Sequence, residues 1–227
     1  MSTPDEAPFA MLLASSIHDI KNSLGMLMES LAAVIETIPA DSQQQRQFAT
    51  VQGEAARINN DLMYLLGLYR LQQQSLPLRI EEVWLDEFLQ EQVAQQSLLF
   101  SLRNTTCQIS CDPSLSGYFD RNLIAGVLNN VLVNGARYAR QSLHLSAFAQ
   151  DGGIIVQVAD DGPGFPEPLL TLGQAHAGSI DFTTGSSSLG LHFAREVAAL
   201  HRRGELQGRI ELANPASGGG LFTLFLP

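Results

Sequence analysis

From Ala10 onward the apolar residues Leu13, Ile17, Ile20, Leu24, Leu27, Leu31 and Val34 fall alternately four and three positions apart. That spacing marks a helix with a single coiled-coil-like apolar stripe. A second run, Phe48, Val51, Ala55, Ile58, Leu62, Leu65 and Tyr69, repeats the rule. Between them, residues 37–42 supply a break at Pro39 and an N-cap at Asp41 or Ser42. Residues 1–74 therefore read as an antiparallel helical hairpin. A hairpin has little against which to bury such stripes, so two copies are expected to pair into a four-helix bundle, making the protein a homodimer. The alternative is a hairpin packed on the rest of its own chain. Stripes that run the full length of both helices favour pairing.

After residues 72–77, GlnGlnGlnSerLeuPro, the pattern changes to short strands and helices punctuated by Gly, Pro and Asp. A second domain is expected over 78–227. It reads as a strand near 78–83, a helix at 85–101, strands near 106–111 and 115–119, and a helix at 121–138. Strands near 142–149 and 153–160, a Gly/Ser-rich loop, a helix at about 189–202 and strands near 208–213 and 220–226 complete it. More strands than helices, in mixed order, suggest an α/β sandwich with helices on one sheet face. The fold class is thus α+β, a helical hairpin followed by an α/β sandwich. With 45% apolar residues in 227, the chain can build packed cores.

A formal charge of −10 repels nucleic acid and anionic lipid, so neither is expected as a partner. No apolar run is long enough to cross a bilayer, and residues 1–8 lack a basic start followed by an apolar stretch. A cytoplasmic protein without membrane insertion is the expectation, with any input coming from a separate sensor protein or a diffusible ligand. Cys107 and Cys111 have no His or Cys at metal-ligand spacing and read as reduced, partly buried thiols.

Residues 15–24 read SerSerIleHisAspIleLysAsnSerLeu. With Ile17 and Ile20 in the stripe, His18 flanks the packed face and reaches solvent, and Asn22 lies on the same side one turn on. Neutral imidazole is a competent nucleophile, and Asp19 beside it can take or orient its N–H proton. A His–Asp pair on a helix is common and by itself usually means nothing. The run HisAspIleLysAsn at 18–22 nevertheless resembles the H-box of histidine protein kinases. That resemblance implies His18 as the phosphorylated residue, Asp19 as the base for autophosphorylation, and Asn22 as the residue that orients water during dephosphorylation of a response regulator. Ser23 stands where many members carry a proline that kinks the helix.

Further along, residues 127–138 place Asn130 and Asn134 on one helix face, with Arg137 and Tyr138 nearby. Such oxygen ligands beside a cation suit a Mg²⁺–triphosphate unit, although paired asparagines are often only a local polar contact. The run is similar to the family's N-box, which implies Asn134 as the Mg²⁺ ligand, Asn130 and Arg137 on the phosphates, and Tyr138 as a wall of the adenine pocket. ValAlaAspAspGlyProGlyPhe at 158–165 ends a strand in an Asp and a Gly-rich turn, where a carboxylate can accept from an amino group and backbone can approach a base. It looks like the G1 box, implying Asp160 on adenine and Gly162 and Gly164 shaping the pocket. ThrThrGlySerSerSerLeuGlyLeu at 183–191 leads small residues into a helix N-terminus, an arrangement that offers backbone N–H groups to phosphate. It resembles the G2 box, with Gly185, Leu189, Gly190 and Leu191 as the matching positions. Ser188 replaces a glycine there, so reduced backbone freedom is expected, with Gly185 able to compensate, and with it weaker nucleotide binding or a differently shaped lid, rather than loss of binding. Residues 165–187 would form the lid, anchored by Phe182.

The resemblance covers nearly the whole chain and implies the fold shared by histidine kinases, gyrase-type and Hsp90-type ATPases. The function it implies is autophosphorylation of His18 from Mg²⁺-ATP, transfer to an Asp of a response regulator, and phosphatase activity through the same hairpin. A phosphotransfer adaptor or regulatory module with a degenerate nucleotide site is the alternative, motivated by Ser188. Gyrase-type hydrolysis would need a carboxylate one turn before the Mg²⁺ asparagine, where Asn130 stands.

Overall fold

The computed structural model describes residue 20, residues 22–27, 29–31, 33–34, 43–72, 78–172 and 186–227. The chain divides into two compact units, Met1–Gln73 and Gln74–Pro227. In the first, the described residues within 20–34 are helical (α1), and α2 spans Gln43–Gln72. The apolar stripes are split in their exposure. Leu24, Leu31, Phe48, Leu62 and Tyr69 are half-buried and Ala55 is buried, whereas Ile20, Leu27, Val51, Ile58 and Leu65 are exposed. The exposed set repeats every seven residues on each helix, so one edge of each stripe is covered within the chain and the other faces outward.

The second unit begins with β1 (Ile80–Trp84), which pairs antiparallel with β3 (Ser116–Asp120) as a separate two-stranded ribbon. Between them lie α3 (Leu85–Gln95), α4 (Ser97–Arg103) and β2 (Thr106–Cys111). The single helix expected over 85–101 is broken at Gln96, whose backbone leaves the helical region (φ −101, ψ 6) while its side chain donates to Asn129 Oδ1 at 2.7 Å. That tertiary bond overrides local propensity, which favours helix throughout. Asn104 then ends α4 in the left-handed conformation (φ 51, ψ 38), where asparagine is tolerated.

α5 (Arg121–Tyr138) leads into β4 (Ser142–Gln150) and β5 (Gly153–Asp160), joined by Asp151–Gly152 with both residues at positive φ, a hairpin turn that matches strand twist. α6 (Glu167–Leu172) occupies part of the segment expected as loop, with Pro168 in its first turn, where a missing N–H costs nothing. α7 (Ser186–Leu200) starts three residues before the expected 189. A small hairpin, β6 (Arg202–Arg203) with β7 (Leu206–Gln207), went unread because two-residue strands show no alternation; β8 (Arg209–Ala213) and β9 (Leu221–Leu226) follow.

The main sheet has the order β2-β4-β5-β9-β8, with β2 parallel to β4 and the other pairs antiparallel. Alternation puts Leu143, Leu145, Val156, Val158, Phe222, Leu224 and Ile210 on one face, all buried, against Ile124, Val127, Leu128 and Leu132 of α5 and Ala194 and Val197 of α7. On the opposite face Phe225 is shielded by the Arg209 guanidinium, 4.4 Å above its ring.

α5 is fixed at its start by Asp120, whose Oδ1 accepts from the N–H groups of Asn122 (3.1 Å) and Leu123 (3.0 Å) and whose Oδ2 accepts from Arg79 N–H (2.9 Å). Asp120 N–H in turn donates to Nε2 of the buried His201 (3.0 Å), just beyond α7. Since Nε2 accepts, Nδ1 carries the proton and donates to Val197 O (2.8 Å). One neutral imidazole thus ties the end of α7 to the beginning of α5.

Candidate functional site

A cavity of about 360 Å³ lies between α5, the turn after β5, α6, the start of α7 and β9. Its walls are apolar: Val131, Val158, Pro163, Phe165, Pro166, Pro168, Leu169, Leu191 and Phe222. Asn134, Tyr138 and Asp160 add polar groups. Apolar walls with a few placed polar groups are the usual make-up of a small-molecule site.

Asp160 is the last residue of β5, and its N–H donates to Gly220 O (2.9 Å), which sets the strand end against β9. Its Oδ1 accepts from Gly162 N–H at 2.7 Å. A Cβ at Gly220 would sit 2.7 Å from Asp160 Oδ2 and 3.0 Å from the Phe165 ring, so glycine there is what lets the carboxylate and the ring share the corner. The next residue, Asp161, turns outward and accepts from Arg140 N–H (2.7 Å), Gln141 N–H (3.1 Å), Ser142 N–H (3.1 Å) and the Ser142 hydroxyl (3.1 Å). Partial desolvation raises its pKa, but these hydrogen bonds from Gln141, Ser142 and Arg140 outweigh it and hold the carboxyl down at about 2. Asp161 therefore pins the chain leaving α5 to the chain leaving β5, directly beside Tyr138.

On α5, Asn134 Nδ2 donates to Asn130 Oδ1 at 3.1 Å, as side chains one turn apart can. Asn130 is buried, and its Nδ2 lacks a hydrogen-bond partner. A buried amide donor without a partner costs roughly 1–3 kcal/mol unless something else satisfies it. Gly190 of α7 lies directly against this amide: a Cβ there would fall 2.4 Å from both amide atoms of Asn130, so glycine is what lets α7 approach α5 so closely.

Of the residues singled out in the sequence, Asn134, Tyr138, Asp160, Gly164 and Leu191 line the cavity. Asn130, Gly162 and Gly190 stand immediately behind it. Arg137 is half-buried on α5 and Leu189 half-buried on α7, and neither is part of the lining. Asn22, on α1, belongs to the other unit and is exposed. His18, Asp19, Phe182 and Gly185 lie outside the described residues. Sequence reasoning missed Phe165, Pro166, Pro168 and Leu169 as walls and Gly220 as a support. The run PhePro-Glu-ProLeuLeu at 165–170 was the available signal, an apolar stretch too rich for a solvated lid.

Among the described residues no three His, Cys, Asp or Glu side chains converge to hold a metal ion. Both cysteines are free and half-buried, with burial raising Cys107 to about 11 and burial, Asp86 and Asp112 raising Cys111 to about 11, so neither is a nucleophile near neutrality. No helix among the described residues is long and apolar enough to cross a membrane.

Residues 119–227 match the family model described as histidine kinase-, DNA gyrase B- and HSP90-like ATPase. The chain is 25% identical over 225 residues to the alginate biosynthesis sensor protein KinB of Pseudomonas aeruginosa, covering 92% of this chain and 35% of that protein. It is 30% identical over 134 residues to the signal transduction histidine-protein kinase BaeS of Escherichia coli (strain K12), covering 56% and 28%. The matched stretches span only about a third of these relatives' own length. Among solved structures, full-length ShkA in complex with AMPPNP superposes with a TM-score of 0.68 at 18% identity, covering 96% of this chain and 45% of that one. The Acinetobacter baumannii histidine kinase AdeS gives 0.60 at 15% identity, covering 90% and 95%.

Proposed function

From the premise that this chain carries an ATP-binding domain of the histidine kinase type, we propose that it is a histidine kinase core that autophosphorylates His18 from Mg²⁺-ATP. The observation that carries the reading is the cavity itself, with a carboxylate, Asp160, at one side of an apolar slot and Asn134, bonded to the buried Asn130 behind it, at another. An adenine ring would occupy the slot lined by Tyr138, Phe165 and Leu191, and its amino group would donate to Asp160. Asn134 would ligate Mg²⁺, an ion usually held by few protein oxygens plus substrate phosphates, and Asn130 and Arg137 would take phosphate oxygens. Bound Mg²⁺ would supply charge neutralisation across the triphosphate, and the protein's task is then positioning.

His18 Nε2 or Nδ1 would attack the γ-phosphorus in line as its bond to the β–γ bridging oxygen breaks and ADP leaves, with Asp19 receiving or orienting the other ring N–H. The phosphoryl group would pass on to the Asp of a response regulator, and Asn22 would orient water for the phosphatase activity, hydrolysis of that aspartyl phosphate to free carboxylate and inorganic phosphate. Ser188 gives little support to the adaptor reading. It lies within helical α7, a backbone state serine adopts without strain, so a glycine is not required there. The outward-facing heptad edges of α1 and α2 support a homodimer of four helices.

Incubation with γ-labelled ATP tests the proposal. Label stable to base, labile to acid and absent from His18→Ala is expected, and acid-stable label would overturn the assignment.

A further inference from the structure

We propose that Asn214, at the end of β8 and outside the cavity, is a positioning residue that sets nucleotide affinity through Phe165. This inference rests on the cavity being the nucleotide site. The Asn214 amide straddles one residue's backbone: Oδ1 accepts Phe165 N–H at 2.7 Å and Nδ2 donates to Phe165 O at 2.8 Å. A single side chain thereby replaces both bonds that a neighbouring strand would give. Only an amide offers a donor and an acceptor at that span, so neither Asp nor Leu, though similar in shape, can substitute.

Gly164 makes the approach possible. It sits at φ +84, and a Cβ on it would lie 2.8 Å from Asn214 Oδ1. Immediately after Phe165, Pro166 has no N–H with which to fix the chain, while its carbonyl accepts from Leu169 N–H at 2.9 Å. The placement of the Phe165 ring, which walls the cavity and packs toward Gly220 beside Asp160 Oδ2, therefore depends on the Asn214 clamp.

The experiment is isothermal titration of the full chain with Mg²⁺-ADP for wild type, Asn214→Ala, Phe165→Ala and the double variant, with a thermal melt of each. Asn214→Ala is expected to weaken ADP binding about tenfold, as for loss of two ordinary hydrogen bonds. In the Phe165→Ala background the same change should weaken binding by less than about twofold, because the ring it positions is gone, while the loss in melting temperature persists. Asn214→Asp, which keeps the bond from Phe165 N–H but turns an oxygen on Phe165 O, should also bind weakly, and it replaces the Ala variant if that one fails to fold. Wild-type affinity in Asn214→Ala or Asn214→Asp overturns the inference, as does an undiminished effect in the Phe165→Ala background. Absence of ADP binding by the wild-type chain overturns the nucleotide reading itself, and this inference with it.

Discussion

Replacing Asp160 by Asn keeps the shape of the strand end but removes the charge that would accept from an adenine amino group. Hydrogen bonds to charged groups contribute about 1.5–3 kcal/mol, so Asp160→Asn should weaken Mg²⁺-ADP binding roughly 10- to 100-fold with little change in melting temperature, as titration and calorimetry would show. Asp161 makes the opposite contribution, to stability rather than binding. Its folded pKa of about 2 lies below the ordinary 3.8, so its stabilisation is fully present above that value and is lost as pH falls towards 2. Asp161→Asn should therefore melt lower than wild type at pH 6, and the gap should close by about pH 2. Adjacent in sequence, the two carboxylates look interchangeable. Asp160 was legible from its place before Gly-x-Gly, but the role of Asp161 depends on residues 140–142, and nothing in the local pattern points to them.

Long-range contacts of the same kind govern the elements. α5 was legible because its apolar spacing and its start after Asp120 are local signals. What holds it in place is His201, whose contact with Asp120 spans eighty-one residues and could not be read from either segment. Burial, chiefly, lowers the His201 pKa below 6.5, so the imidazole is neutral in the folded protein. Its contribution is present above pH 6.5 and lost as pH falls through the folded value. His201→Leu should destabilise the chain by about 1–3 kcal/mol, since it leaves Asp120 N–H buried and unpaired, and urea titration should show that deficit shrinking below pH 6. The broken helix at Gln96 is legible only in hindsight for the same reason: a bond to α5 decides it, against a sequence that is helical by every local measure.

For the whole molecule, the heptad stripes predict assembly. Ile58→Asp on the exposed edge of α2 puts a charge where a second copy would pack, and sedimentation should show a dimer becoming monomer while ADP binding by the other unit is retained. The change of periodicity after residue 72 carried the division into hairpin and α+β sandwich at the level of fold class. The sheet order could not be read, because strand sequence says little about which partner lies on either side. That order has a consequence for the chain as it is being made. β9, the last strand to leave the ribosome among those described, is an interior strand of the sheet, between β5 and the edge strand β8, and the glycine beside Asp160 immediately precedes it. Until residues beyond 220 emerge, β5 lacks one neighbour, β8 has no partner in the sheet, and the wall that Phe222 gives the cavity is missing, so the cavity closes only when nearly the whole of this domain has been made.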